Sequence, residues 1–180
     1  MKNNQNIVVI GGAGYIGTVV SDFFQKKKFQ VKSIDNLIYN QKKPLKKKNF
    51  YFYNLDITKK KIHDLIDDNS TVILLAGLVG DPITKKYPKI SKKINENYMK
   101  KFIDLCFKKK IKHLIFTSTC SNYGITGTKK MVNEKSRLNP LSIYAKSKIK
   151  IGKYLQIKSK KNNTKVSILR FATAFGVSNR

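Results

Sequence analysis

Residues 7–17, Ile7-Val8-Val9-Ile10-Gly11-Gly12-Ala13-Gly14-Tyr15-Ile16-Gly17, run from four apolar β-branched residues straight into glycines at 11, 14 and 17. The apolar run reads as a buried parallel strand. Beyond the glycines, Ile16, Val19, Val20, Phe23 and Phe24 recur at helical spacing, and Lys26 to Lys28 place cations where a helix C-terminus favours them. Strand, glycine turn and helix together make a phosphate cradle. The first glycine turns the chain tightly, the second lets backbone N–H groups approach a pyrophosphate, and the third lets helix and strand pack closely. The helix N-terminus then offers the anion unpaired N–H donors and its positive dipole end. A second strand, Val31–Ile34, leads to Asp35, roughly 20 residues past the last glycine. A carboxylate there accepts hydrogen bonds from the adenosine ribose and repels a 2′-phosphate, which predicts NAD rather than NADP. Lys32 stands close enough in sequence to oppose that preference.

The same alternation continues outward. Phe50–Leu55 reads as a third strand, Lys59–Ile66 as a short helix, and Val72–Ala76 as a fourth strand. Ile90, Ile94, Tyr98, Phe102 and Ile103 mark one long amphipathic helix reaching about Lys109. Leu114–Thr117 is a fifth strand, and Tyr123–Pro140 an ordered loop. Tyr144, Lys148, Ile151 and Leu155 form another helical stripe before a sixth strand, Val166–Phe171. Strands alternating with helices predict the α/β class, a Rossmann-type doubly wound parallel sheet with helices on both faces. With no repeat and no linker, residues 1–180 read as one domain.

Composition narrows the classes. A chain of 180 residues with 41% apolar content can build a core, which excludes disorder despite a net charge of +28. No apolar run approaches membrane-spanning length, and the polar start, Met1 to Asn6, gives no export leader, so a cytoplasmic protein is expected. Cys106 and Cys120 fit neither a disulfide framework nor a metal site, and no metal is expected. The 38 basic residues against 10 acidic ones suggest nucleic acid at first. Only Arg137, Arg170 and Arg180 are arginines, however, and the lysines lie scattered in short runs at 26–28, 46–48, 59–61 and 108–110 among Ile and Asn. That reads as AT-rich codon usage on solvated faces, with no nucleic-acid partner.

The chemistry-bearing residues lie further along. Tyr144 and Lys148 stand one helical turn apart on one face. A phenol is a poor base at neutral pH, but a neighbouring ammonium and a positively charged nicotinamide both favour its phenolate. The end of the fifth strand, Phe116-Thr117-Ser118-Thr119-Cys120-Ser121-Asn122-Tyr123-Gly124, sets hydroxyls at the carboxyl edge of the sheet, where open α/β sheets present ligands.

Taken together these residues resemble the extended short-chain dehydrogenase/reductase family, the NAD-dependent sugar epimerases and dehydratases of the UDP-glucose 4-epimerase kind. The matching pieces are Gly11/Gly14/Gly17, Asp35-Asn36-Leu37, Asp56-Ile57, Leu75-Ala76-Gly77, Asn95, the Ser118-Thr119 to Tyr123-Gly124 block, Tyr144/Lys148 and Arg170. The resemblance implies that Gly11, Gly14, Tyr15, Ile16, Gly17, Asp35, Asn36 and Asn95 bind the cofactor. It places Asp56 and Ile57 along the adenine, Ala76 and Gly77 along the pyrophosphate and ribose, and Lys148 on the nicotinamide ribose. Thr119 would bond the reacting sugar hydroxyl, and Tyr144 would be the acid/base.

In such epimerases hydride passes to tightly held NAD, the keto sugar turns over, and hydride returns to its other face. A UDP- or dTDP-sugar is the implied substrate, and a homodimer through the helices around 90–109 and 142–158 the implied assembly. Cys120-Ser121 stands where the 4,6-dehydratases carry an Asp-Glu pair, which disfavours simple dehydration. Cys120 is expected to pack rather than react, and His63 and His113 to lie on the surface. Family members run to about 300 residues, with a C-terminal substrate domain, so the chain is expected to be the cofactor half. A reductase, dehydratase or decarboxylase of the same family, or an NAD-binding protein without catalysis, are the alternatives.

Overall fold

The computed structural model describes residues 6–45, 47–127 and 131–178; residues 1–5 of the polar start, Lys46 of its lysine run and Arg180 lie outside them. Six strands form one sheet: β1 (Asn6–Ile10), β2 (Gln30–Asp35), β3 (Phe50–Asn54), β4 (Thr71–Leu74), β5 (His113–Thr119) and β6 (Lys165–Phe171). All neighbours are parallel, in the order β3-β2-β1-β4-β5-β6. This is the expected doubly wound topology. The order reverses between β1 and β4, and a crevice opens beyond their carboxyl ends, where such sheets bind ligands.

Side-chain alternation along the strands builds two cores. Val8, Ile10, Ile34, Val72, Leu74, Leu114 and Phe116 face α4 (Met99–Lys108) and α5 (Ile143–Ser159), meeting Phe102, Ile103, Cys106, Ile151 and Leu155. Ile7, Val9, Val31, Phe50 and Ile73 face the other way, toward Val20 and Phe24 of α1 (Tyr15–Lys26). β1, covered on both sides, is accordingly apolar at every position from Ile7 to Ile10. Burial pushes the Cys106 thiol up, which marks it as packing.

Several elements depart from the sequence reading. The helix expected from Ile90 begins at Asp81 and runs in pieces: α2 (Asp81–Lys86), α3 (Pro88–Lys92), a π turn over Lys93–Tyr98, then α4. Tyr87 breaks the first two, with φ −126° and ψ 64°, because a residue before proline is pushed out of the helical region. β5 continues to Thr119, since Ser118 and Thr119 pair with Arg170 and Phe171 of β6. Cys120, expected to pack, is exposed; it opens the 3-10 turn Cys120–Tyr123. His63 is exposed, but His113 is half-buried, shares a 2.9 Å hydrogen bond with Ser167, and has its pKa lowered by burial and then by Lys165.

The long loop after β5 is tied down at several points. The Asn139 N–H donates to Asn122 O at 3.0 Å, and Arg170 donates to Tyr123 Oη at 2.9 Å and Glu134 O at 3.2 Å. Among the described residues no helix is long and apolar enough to cross a membrane, and no cluster of His, Cys, Asp and Glu could hold a metal.

Candidate dinucleotide and catalytic site

A cleft of about 610 Å³ lies over the crevice between β1 and β4. Its walls include Gly11, Gly14, Tyr15, Ile16 and Gly17 from the glycine turn, Asp35 at the end of β2 and Asn36 just past it, and Asp56 and Ile57 after β3. Ala76 and Gly77 after β4, with Tyr144 and Lys148 on α5, complete it. Thirteen positions scattered from residue 11 to 148 thus converge, because each lies at or after the carboxyl end of a strand or faces it from α5. Asn95 and Thr119 do not line this cleft. A second cavity of about 600 Å³, beyond Gln41 and bordered by Lys42, Lys43 and Lys47, takes in none of the expected site residues.

The cradle is built by close backbone approach. A Cβ on Gly11 would lie 2.7 Å from Ala76 N, and its φ of +86° is one that L side chains rarely adopt. Gly14 is the N-cap of α1 with no side-chain cap, and no acid stands in the first turn, so the leading N–H groups are left for an anion. Asp35 ties this turn to β2: Oδ2 accepts from Ala13 N at 3.1 Å and Oδ1 from Leu37 N at 2.8 Å. Gln41 Nε2 adds a third bond, to Oδ1 at 3.4 Å, so of a carboxylate's four or so acceptor sites one stays open for a ribose hydroxyl. Lys32 leaves the ribose preference alone, because its ammonium donates to Asp67 at 2.6 Å and to Leu65 O at 3.3 Å.

Asp56 is fixed by Asn36 Nδ2 at 2.8 Å and Thr58 N at 2.8 Å. Burial opposes its ionisation, but the Thr58 and Asn36 hydrogen bonds outweigh it and hold the carboxyl below its ordinary range. The segment after β6 returns to the cradle: Tyr15 Oη donates to Gly176 O at 2.5 Å, and Ser178 Oγ to Tyr15 O at 2.8 Å. Ala174 joins the lining.

The catalytic end is held from α5. Ser142 caps that helix, accepting from Ala145 N at 3.1 Å, so Tyr144 and Lys148 begin its inner face. Lys148 is buried; its Nζ donates to Thr117 O at 2.8 Å and lies 5.5 Å from the Tyr144 ring centre. Burial lowers its pKa to about 8. Burial first, and the Asp81 carboxylate second, raise Tyr144 to about 12. The protein alone therefore does not depress the phenol as the Tyr-Lys pairing led one to expect. A lowered phenol pKa would require a positive charge brought into the cleft.

Thr119 Oγ1 accepts from Ser121 N and donates to Ser121 Oγ, both at 3.1 Å. Its second lone pair remains able to accept from a substrate hydroxyl. Asn95 stands behind the cleft, clamping the Leu78 N–H and C=O at 2.9 Å each. Sequence reading missed Thr117, Leu78, Tyr98 and Met99, which line the cleft. Of these only Thr117, in the hydroxyl run, carried a signal.

The burial of Lys148 gives a sign-definite expectation. Its folded pKa lies below the unfolded value, so between pH 8 and 10.5 the unfolded chain binds more protons and stability from this group rises with pH. Lys148→Met, which removes the buried charge, is expected to be more stable than the natural chain at pH 7 by roughly 1–3 kcal/mol. Melting curves check it: the advantage must shrink as pH climbs from 8 toward 10.5.

Comparison with known proteins adds the family. Residues 7–180 match the family model described as the NAD dependent epimerase/dehydratase family. An uncharacterised UDP-glucose epimerase of Bacillus subtilis is 27% identical over 97% of this chain and 58% of its own length. The structure of a Thermotoga maritima UDP-glucose 4-epimerase with UDP-glucose superposes with a TM-score of 0.86 at 26% identity, over 98% of this chain and 58% of that one. A Bacillus cereus UDP-glucuronic acid 4-epimerase solved with NAD gives 0.84 at 25% identity, over 98% and 58%. The chain spans a little over half the length of these relatives. With that match covering nearly the whole of the described sheet, the chain belongs to the NAD dependent epimerase/dehydratase family.

Proposed function

We propose that residues 1–180 are the cofactor-binding domain of an NAD-dependent nucleotide-sugar epimerase of the UDP-glucose 4-epimerase type. The observation that carries the reading is one cleft that brings the glycine cradle and Asp35 at one end to Tyr144 and Lys148 at the other. The cradle fits a dinucleotide: Gly11 and Gly17 leave no room for a side chain, and the α1 N-terminus carries uncapped donors. Gly11, Gly14 to Gly17, Ala76 and Gly77 would hold the pyrophosphate, Asp35 the adenosine ribose, Asn36, Asp56 and Ile57 the adenine side, and Lys148 the nicotinamide ribose. Bound NAD supplies a hydride acceptor and donor and, when oxidised, a positive charge.

Tyr144 then takes the proton of the sugar hydroxyl as that carbon is oxidised and returns it on reduction of the keto sugar from the opposite face. Thr119 would orient the same sugar oxygen by turning its own O–H from Ser121 Oγ to donate to it. Asn95 acts by fixing the Leu78 backbone rather than by touching the cofactor. The grip on the UDP- or dTDP-sugar belongs to the part of the relatives' length beyond what this chain matches. A homodimer through α4 and α5 would bring exposed Lys101, Lys146 and Lys153 to the seam, so it needs counter-ions or acidic partners there.

Two measurements test the proposal. Calorimetric titration of the chain with NAD should show one site, with NADP bound at least 10-fold more weakly. A protein carrying this chain and a substrate domain, incubated with UDP- and dTDP-sugars, should form an epimer with no net NADH; stoichiometric NADH would make it a dehydrogenase.

A further inference from the structure

The π turn Lys93–Tyr98 buries two consecutive polar side chains, Asn95 at 6% exposure and Glu96 at 7%. A π turn inserts one residue into a helical turn and so breaks the regular stripe of an α-helix. Here the two neighbours serve different elements. Asn95 clamps Leu78 beside the cleft, as described. Glu96 reaches α5: its Oε1 accepts from Ser147 Oγ at 2.8 Å, and Lys150 Nζ lies 3.2 Å from both carboxylate oxygens.

Ser147 and Lys150 bracket Lys148 on that helix. On the opposite side Lys148 Nζ is caught by Thr117 O at the end of β5. Polar contacts through Glu96 and Lys148 therefore fix the rotation of the first half of α5, while its second half is tied to α4 by Asp104, which takes Tyr154 Oη and Lys158 Nζ at 2.6 Å each. Apolar packing at Ile151 and Leu155 fixes its distance from the sheet but is non-directional.

We propose that Glu96 is a positioning residue of the dinucleotide site: by holding Ser147 and Lys150 it sets the rotation of the first half of α5 and so the direction in which Lys148 and Tyr144 enter the cleft. Through the π turn the same segment holds the Leu78 loop, so both walls of the nicotinamide end are referenced to one point. The inference rests on the proposed role of Lys148 toward NAD, but its test does not rest on it alone.

The experiment compares Glu96→Leu, Glu96→Gln and Ser147→Ala with the natural 180-residue chain by two readouts. One is NAD affinity by calorimetry. The other is the titration of Lys148 itself, read by acetic anhydride labelling from pH 7 to 11 with peptide-resolved mass spectrometry, which needs no cofactor. Glu96→Leu is expected to weaken NAD about 10-fold and to move the Lys148 midpoint from about 8 toward 10.5 as the turned helix releases the amine from burial. Glu96→Gln keeps an acceptor for Ser147 and should restore both readouts to within about 2-fold and half a unit. Should Glu96→Leu fail to fold, Ser147→Ala decides, with a change in the same direction and about a third of the size.

A folded Glu96→Leu or Ser147→Ala whose Lys148 titration matches the natural chain overturns the proposal. If the natural chain binds no NAD, the proposed function falls, while the labelling still tests the positioning role.

Discussion

Gly17→Ala is expected to weaken NAD binding by more than 100-fold and to lower the melting temperature by about 10 °C. The added Cβ would lie 2.2 Å from Gly11 O, 2.7 Å from Gly12 Cα and 2.9 Å from Gly12 C. All three are backbone atoms, so no side-chain rotation relieves the overlap. α1 must instead move away from the turn by about 1 Å, which opens a packed interface at a cost of roughly 3 kcal/mol. For a chain of this size that corresponds to about 10 °C.

The same displacement pulls on a turn held by Gly11 N to Ile34 O at 2.8 Å and Ala13 N to Asp35 at 3.1 Å. It also withdraws the N–H groups that would meet the pyrophosphate, and a further 3 kcal/mol in binding is more than 100-fold. Gly152→Ala is the control. A Cβ there meets only Ile168 Cδ1 at 3.8 Å, an ordinary contact, and alanine within α5 should stabilise by about 0.5–1 kcal/mol. Calorimetry and thermal melts of both variants check the pair; retention of NAD affinity within a few-fold in Gly17→Ala would remove the cradle from the argument.

That contrast between glycines shows what sequence spacing conveys and what it does not. Gly11, Gly14 and Gly17 were legible because each is demanded by local geometry directly after a strand, and Asp35 because it ends the next strand. The strands were legible to within a residue or two, since apolar β-branched runs have few other uses in a parallel sheet. Ser118 and Thr119 looked like turn residues, yet pairing with β6 carries the strand through them.

The segment from Asp81 was missed although Gly80-Asp81-Pro82 is a helix start, with proline inside the first turn. Long-range polar partners were not legible at all. Glu96 with Ser147, Lys32 with Asp67 and Asn95 with Leu78 are separated by 51, 35 and 17 residues, and no local rule joins them. These are the contacts that aim the site.

If the proposed function holds, Tyr144→Phe in a protein carrying this chain and a substrate domain is expected to cut epimerisation of a UDP-sugar by about 10³-fold with NAD affinity unchanged to within about 2-fold. The substitution removes one oxygen and keeps the ring, whose centre lies 5.5 Å from Lys148 Nζ, so the wall of the cleft stays in place. What is lost is the group proposed to exchange a proton with the sugar hydroxyl. The pH profile separates this from a loss of packing. Burial and then Asp81 raise the phenol to about 12, so at neutral pH it is protonated until the oxidised nicotinamide adds its charge.

The active fraction is then the ionised one, and kcat must rise with pH along a limb that belongs to Tyr144. That limb must vanish in Tyr144→Phe, leaving a low and flat rate. Asp81→Asn removes a charge that opposes the phenolate, and it must move the limb of the otherwise natural protein to lower pH. Steady-state rates from pH 6 to 10 for the three proteins check it. A Tyr144→Phe enzyme that kept a tenth of its rate, or kept the limb, would transfer the acid/base role to Thr119 or to water.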